Sequence, residues 1–195
     1  EARQIWRYVP VSAPVTQAWL KRGLLAGKSS DTRLRLQGDL KDFPFAGDQT
    51  GVFEVVAQTS GVTIDYVDGW PPITGISGEV RFRGDRMDVR AQSGAVLGLR
   101  LSGIQASIAE LGKDKEHLRV KGVAQGATSG FLRYAASTPV ARRFGGLSDK
   151  IKAVGDARLD VELDLPLHRI KDSAIKGELK LQDNRVTLDA RLPPF

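Results

Sequence analysis

The chain is predicted to be mainly β, an antiparallel meander sheet with two short helical segments. Three observations predict this. Ten stretches alternate apolar with charged or polar residues. The clearest sets Leu159, Val161, Leu163 and Leu165 against Arg158, Asp160, Glu162 and Asp164, and another sets Leu34, Leu36 and Leu40 against Arg33, Arg35, Asp39 and Lys41. A period of two sends successive side chains to opposite sides of a strand, so one face is wet and the other needs cover. The stretches are also bounded by Gly, Asp, Ser or Pro clusters, which punctuate antiparallel strands. Finally, the period fails near the N-terminus and again over 127–147, which leaves room for the two helical segments.

The first helical element spans about 13–26. Pro14 is tolerated in a first turn, Val15, Ala18, Trp19 and Leu25 follow a helical stripe, and Gly27 can end it. Strands follow at about 32–41, 51–59, 62–67, 74–84, 86–93, 96–109 and 116–124. Gly84-Asp85-Arg86 reads as a tight hairpin between Phe82 and Met87, and Gly94-Ala95 as a second turn. Leu97, Leu99 and Leu101 are odd-numbered, whereas Ile104, Ala106 and Ile108 are even. This phase flip at Ser102-Gly103 predicts a β-bulge or bend.

The helical insertion spans about 127–147. Thr128 or Ser129 would cap a helix carrying Phe131, Leu132 and Tyr134. Pro139 would open a second with Val140, Arg143 and Phe144, ended by Gly145-Gly146. Strands at about 153–165, 173–182 and 185–192 complete the chain, with Asp183-Asn184 read as a two-residue hairpin turn.

Composition narrows the classes of function. The 195 residues are 41% hydrophobic and 27% charged, which suits one β-rich domain or a slice of a repetitive one. The chain begins at Glu1 without a signal-like apolar stretch, so residues 1–195 are expected to be a single segment of a larger protein. No run approaches the roughly 20 apolar residues of a membrane-spanning helix. Cysteine is absent, which excludes disulfides and thiolate chemistry. The formal charge of +6 favours anionic partners. Acids and bases are nonetheless interleaved, as in Lys176, Glu178 and Lys180, and interleaving reads as a solvated face.

Residue constellations for catalysis are missing. His117 and His168 sit at strand edges among charged neighbours, in no metal or triad spacing. Gly23-Leu24-Leu25-Ala26-Gly27-Lys28-Ser29 resembles a phosphate-binding loop, but it has three residues between its glycines where four are needed. Neither a metal nor a cofactor is expected. Arg133, Arg142 and Arg143 lie near Tyr134 and Phe144. Such a set can stack single strands, neutralise helix ends or touch lipid phosphate. Nucleic acid is not the expected partner.

The apolar face poses the functional question. Ten strands of some seven residues present a face of about 1,100 Å². Two short helices, each about 18 Å by 10 Å, cover roughly a third of it. Soluble monomers rarely leave more than a few hundred Å² of contiguous apolar surface wet. The sheet therefore closes on itself as a sandwich or barrel, curls into a trough that meets lipid, or pairs with a partner.

A family resemblance bears on that choice. Trp19-Leu20 is followed by Gly38-Asp39-Leu40 running into Phe43-Pro44-Phe45, then by Gly51-Val52-Phe53, and by Tyr66 ahead of Trp70-Pro71. Next come Ile73, Ile76, Gly78, Val80, Phe82, Gly84 and Met87, then Ser137-Thr138-Pro139-Val140 and Leu165-Pro166-Leu167. Over about 19–181 the chain resembles the central region of the YhdP branch of the AsmA-like envelope proteins. In Ser137-Thr138-Pro139-Val140, a Thr is inserted into the family's Ser-Pro-Leu turn.

The resemblance implies a strongly curved β-taco, an open groove repeated along a longer chain. It also implies a periplasmic protein anchored in the inner membrane, and phospholipid movement towards the outer membrane rather than an enzyme activity. Acyl chains would then lie against Leu36, Phe53, Val55, Ile64, Phe82, Val89, Leu101, Val120, Val161, Leu163, Leu179 and Leu188, with Arg133, Arg142 and Arg143 as headgroup candidates. The expected partners are phospholipid acyl chains, neighbouring groove segments of the parent chain, and membranes reached through the full-length protein. The alternative is a self-covered structural or protein-binding β-domain of the envelope.

Overall fold

A computed structural model describes residues 7, 14–47, 51–113, 116–138 and 151–188. Eight strands form one antiparallel sheet in chain order: β1 Leu24–Gln37, β2 Val52–Ile64, β3 Ile73–Arg83, β4 Arg86–Val96, β5 Leu99–Ile108, β6 His117–Ala127, β7 Ile151–Pro166 and β8 Ala174–Leu188. The sheet is a plain meander, and β1 and β8 are its two edges. Helix α1 (Pro14–Gly23) precedes the sheet, and α2 (Thr128–Ala136) lies between β6 and β7. The mainly-β class, the antiparallel meander and the two short helices stand as predicted.

Eight strands replace the expected ten because two apparent turns are irregularities inside long strands. Stretches 51–59 and 62–67 are one strand, β2, whose register shifts between Thr59 and Val62, where Gly61 takes a φ of 59°. Stretches 173–182 and 185–192 are likewise one strand, β8, to Leu188. Asp183 bulges at a φ of 51° opposite Gly155, and Asn184 donates across to the Asp156 carbonyl at 2.8 Å. Residues 189–192 lie outside the described residues.

Other boundaries move too, most of all that of the first strand, expected at about 32–41 and found at Leu24–Gln37. The first helix ends at Gly23, so Leu25 and Gly27 belong to β1, and Leu40 sits in a 3-10 turn rather than a strand. The Gly94-Ala95 turn is displaced to Leu97-Gly98, because β4 continues through Val96. The hairpin at Gly84-Asp85 and the bulge at Ser102-Gly103 are where they were expected, with a register shift between Ser102 and Gln105. Neither Thr128 nor Ser129 caps α2: its N-cap is Ala127, with no side-chain bond. The second short helix expected from Pro139 lies outside the described residues.

Bulges crease the sheet. The shifts at Ser30–Arg33, Thr59–Val62, Ser77–Gly78 and Ser102–Gln105 fall in one row across β1 to β6. Each bulge bends its strand and tightens its twist. Side chains on one side of this row are small: Gly78 pairs with Ala91, and Gly122 pairs with Val161, which pairs with Gly177.

Helix α1 measures how far the sheet is bent. Thr16 Oγ1 donates to Glu116, just before β6, at 3.4 Å, and Gly23 at the other end accepts the Asp65 N–H, just past β2, at 2.7 Å. On a flat sheet these anchors would lie about 36 Å apart along the strands and about 19 Å across them. Seven residues of helix rise only about 10 Å. The ends of the strands must therefore curl towards each other, and the face that α1 bridges is the concave one.

Candidate functional site

The concave face is a set of apolar rows in register. One row runs Leu34, Val55, Phe82, Met87, Ile108, Leu118, Leu165. The next runs Ala57, Val80, Val89, Ala106, Val120, Leu163, Ile175. Beyond the crease, Leu101 pairs with Ala124, which pairs with Leu159, which pairs with Leu179. Leu36 pairs with Phe53, and Ile64 with Ile73. Register thus places Leu36, Phe53, Val55, Ile64, Phe82, Val89, Leu101, Val120, Val161, Leu163 and Leu179 on one face. Leu188 pairs with Ile151 in the backbone ladder.

Cover divides this face. Over β2 to β5, Leu20 and Leu24 from α1 and the start of β1 pack with Phe45, Phe53, Val55, Val62, Phe82, Met87, Ile108 and Leu111. Trp19, Ile76, Val80 and Val89 pack against that cluster. Phe82 is 1% exposed and Val55 2%. Phe45 fills the open end beside β2, where Gly51 and Gly38 make room for its ring: a Cβ on Gly51 would collide with it. Phe43 stacks edge-on against both Phe45 and Phe53. Phe43 and Phe45 therefore plug the core at this end.

The flanks are bare. On β8, Ile175 is 70% exposed, Leu179 49% and Leu181 53%; on β1, Leu34 and Leu36 are more than half exposed. Val161 and Leu163 on β7 are half-buried. Sequence reasoning missed Leu34, Leu159, Ile175 and Leu181 on this face, although Leu34, Leu159 and Leu181 each lie two residues from a candidate and Ile175 lies four from Leu179. It also missed α1 as an occupant of the trough, because its anchors, Thr16 and Glu116, are 100 positions apart.

The convex face carries the charges. Lys121 meets Glu162 at 2.8 Å, Arg158 meets Asp160 at 2.8 Å and Arg81 meets Glu79 at 3.3 Å. The hydrogen bond from Arg158 holds the Asp160 carboxyl below the usual range, and that from Lys121 does the same for Glu162. Exposed pairs of this kind add little stability. They keep the outside wet, and Lys121–Glu162 also spans the β6–β7 pair.

The two histidines are tied to carboxylates. His117 Nδ1 lies 2.7 Å from Asp164, and His168 Nε2 lies 3.4 Å from Glu116. Glu116 is buried and also accepts the Gly112 N–H. These contacts fasten loops at one end of the trough. Among the described residues, no group of three or more His, Cys, Asp or Glu could hold a metal ion.

An aromatic clasp closes the other end. The hydroxyls of Tyr66 and Tyr134 lie 2.8 Å apart, Trp70 packs edge-on against both rings, and Trp19 Nε1 donates to the Tyr66 carbonyl at 3.0 Å. Burial, then the bond to Tyr134, pushes the Tyr66 phenol well above its ordinary value. Of the headgroup candidates, Arg133 lies on α2, donates to the Leu97 carbonyl at 3.3 Å and borders a hollow of about 350 Å³ with Leu132, Ile151 and Ala153. Arg142 and Arg143 lie outside the described residues.

Comparison with known proteins agrees with this geometry. The family profile described as YhdP protein matches residues 1–195. A curated relative, the intermembrane phospholipid transporter YhdP of Escherichia coli (strain K12), is 25% identical over 186 residues. The match covers 94% of this chain and 14% of the relative, so the chain spans a small part of that protein's length. No solved structure matches the chain. Among the described residues, no helix is long and apolar enough to cross a membrane.

Proposed function

We propose, on the premise that the chain belongs to the YhdP protein family, that it is one stretch of a periplasmic groove conducting phospholipid between the inner and outer membranes. It acts as a surface and carries out no reaction. The observation that supports this most is an apolar strip left bare on the concave side of an unclosed sheet. A hydrocarbon chain laid there recovers about 25 cal/mol per Å² of apolar area buried. With no polar side chain among its lining residues, the strip holds no position much more tightly than the next, so a chain can slide. Headgroups stay at the mouth, where Arg133 borders its hollow.

The two edge strands fit a place inside a longer chain. A bare edge invites pairing, and β1 and β8 would receive neighbouring groove segments of the parent, itself anchored in the inner membrane. A self-covered β-domain remains the second reading, and the packing of α1 over β2 to β5 favours it for that half.

The test is Val161→Asp in the full-length protein, with folding checked by circular dichroism. Val161 lies on the concave face between Gly122 and Gly177. A charge there should abolish photo-crosslinking of phospholipid to benzoylphenylalanine placed at Leu179. Undiminished crosslinking in the folded variant would refute the groove reading.

A further inference from the structure

We infer that α1 is a built-in occupant of the trough, holding the place of acyl chains over β2 to β5 and leaving lipid contact in this segment to the bare flanks, of which the longer lies on β7 and β8. This rests on the groove reading and narrows it. Apolar residues line the concave face both under α1 and beyond it, so polarity alone does not divide it. What divides it is Leu20, which shares one buried cluster with Val55, Phe82 and Met87 where a hydrocarbon chain would otherwise lie, with Trp19, Val80 and Val89 packed against that cluster.

The helix is held there by more than apolar contact. Its first turn is fixed by Thr16 to the buried Glu116, its end by Gly23 to Asp65, and Trp19 by its indole N–H to Tyr66. Arg22 adds a contact to Asp68 at 3.3 Å. A loosely adsorbed helix would lack buried polar bonds at both ends.

The strip left over suits an acyl chain better than a protein segment. It comprises Leu159, Val161, Leu163, Ile175, Leu179 and Leu181 and contains no hydrogen-bonding side chain. From the Leu163–Ile175 pair to the Ala157–Leu181 pair is six residues, about 20 Å. One leaflet's hydrocarbon is about 15 Å deep. At the strip's end the β7–β8 connection carries the exposed Lys171 beside Arg169, which is paired with Asp172 at 3.6 Å, so the lip offers a phosphate one lysine and a surface-exposed arginine. A long apolar strip beside a cationic lip is complementary to an amphiphile with one anionic group.

The test is site-specific photo-crosslinking in the full-length protein, in cells, with benzoylphenylalanine at Leu179, Leu181, Val80 or Val89 in turn. Phospholipid should be captured at Leu179 and Leu181, and capture at Val80 and Val89 should match the unirradiated background. The double variant Trp19→Ala, Leu20→Ser should raise capture at Val89. Should the bulky probe at Val89 disturb folding, Val89→Cys treated with a lipid-borne maleimide makes the same comparison against Leu179→Cys. Equal capture at Val89 and Leu179 with α1 intact would overturn the inference and leave the groove reading standing. Capture of lipid nowhere would overturn both, as would protein-to-protein crosslinks alone at Leu179.

Discussion

The middle of the sheet and its β7–β8 flank share one alternation and one concave face, yet their fates differ. Phe82 and Val55 are sealed under α1, whereas Ile175 and Leu181 stand in the open. Alternation therefore says which way a residue faces and nothing about what covers it. In the middle, the cover is supplied by a helix of the same segment. On the flank, it has to come from elsewhere. A bare apolar surface and a folding core are thus built from the same residue types, one beside the other.

This contrast can be broken from its strong side first. Phe82→Asp buries a charge beneath α1 and should prevent folding, since an unpaired buried charge costs several kcal/mol. Loss of the cooperative tryptophan-fluorescence transition in denaturant would show it. The same change thus tests the core, whereas Val161→Asp tests the lipid surface.

Leu20→Ala should cost about 2–5 kcal/mol, as large-to-small changes in a packed core do. Leu179→Ala on the flank should stay within about 0.5 kcal/mol. Equal midpoint shifts in urea for the two would erase the distinction between core and strip.

Tyr134→Phe removes the bond that clasps Tyr66 and should cost about 1 kcal/mol. A pH effect accompanies it. The Tyr66 phenol is raised in the folded state, so the unfolded chain releases its proton first as pH climbs past about 10. The clasp's stabilisation is complete below that pH and declines above it. Tyr66→Phe should flatten the alkaline arm of a stability profile measured from pH 8 to 12. Finally, Arg158→Ala, on the solvated convex face, should leave the denaturation midpoint where it is; a clear shift would mean that the charged face is more than a wet exterior.

The sequence is legible wherever local chemistry decides. The Gly84-Asp85 hairpin and the phase flip at Gly103 are fixed by a few adjacent residues, and both appear in the fold. Gly61 and Asp183-Asn184 mislead for the same reason. A left-handed residue between two apolar runs describes a bulge as well as a turn, and only the partner strand decides between them. The parity of the concave face is equally readable, which is why eleven of the twelve chosen lining residues fall on it by register. Exposure along that face is not readable, because it depends on where α1 docks. That docking joins Thr16 to Glu116 and Gly23 to Asp65, contacts between residues far apart in the chain.

Helix α1 passes into β1 with no spacer between Gly23 and Leu24, and Leu24 pairs at once with Ile64. The junction works as a crank. Any pull on the chain ahead of Pro14 acts on the edge strand as well as on the helix, and drawing α1 upward loads the Leu24–Ile64 pair end-on. Lifting the end of α1 out of the trough would therefore strain the edge strand into which it runs.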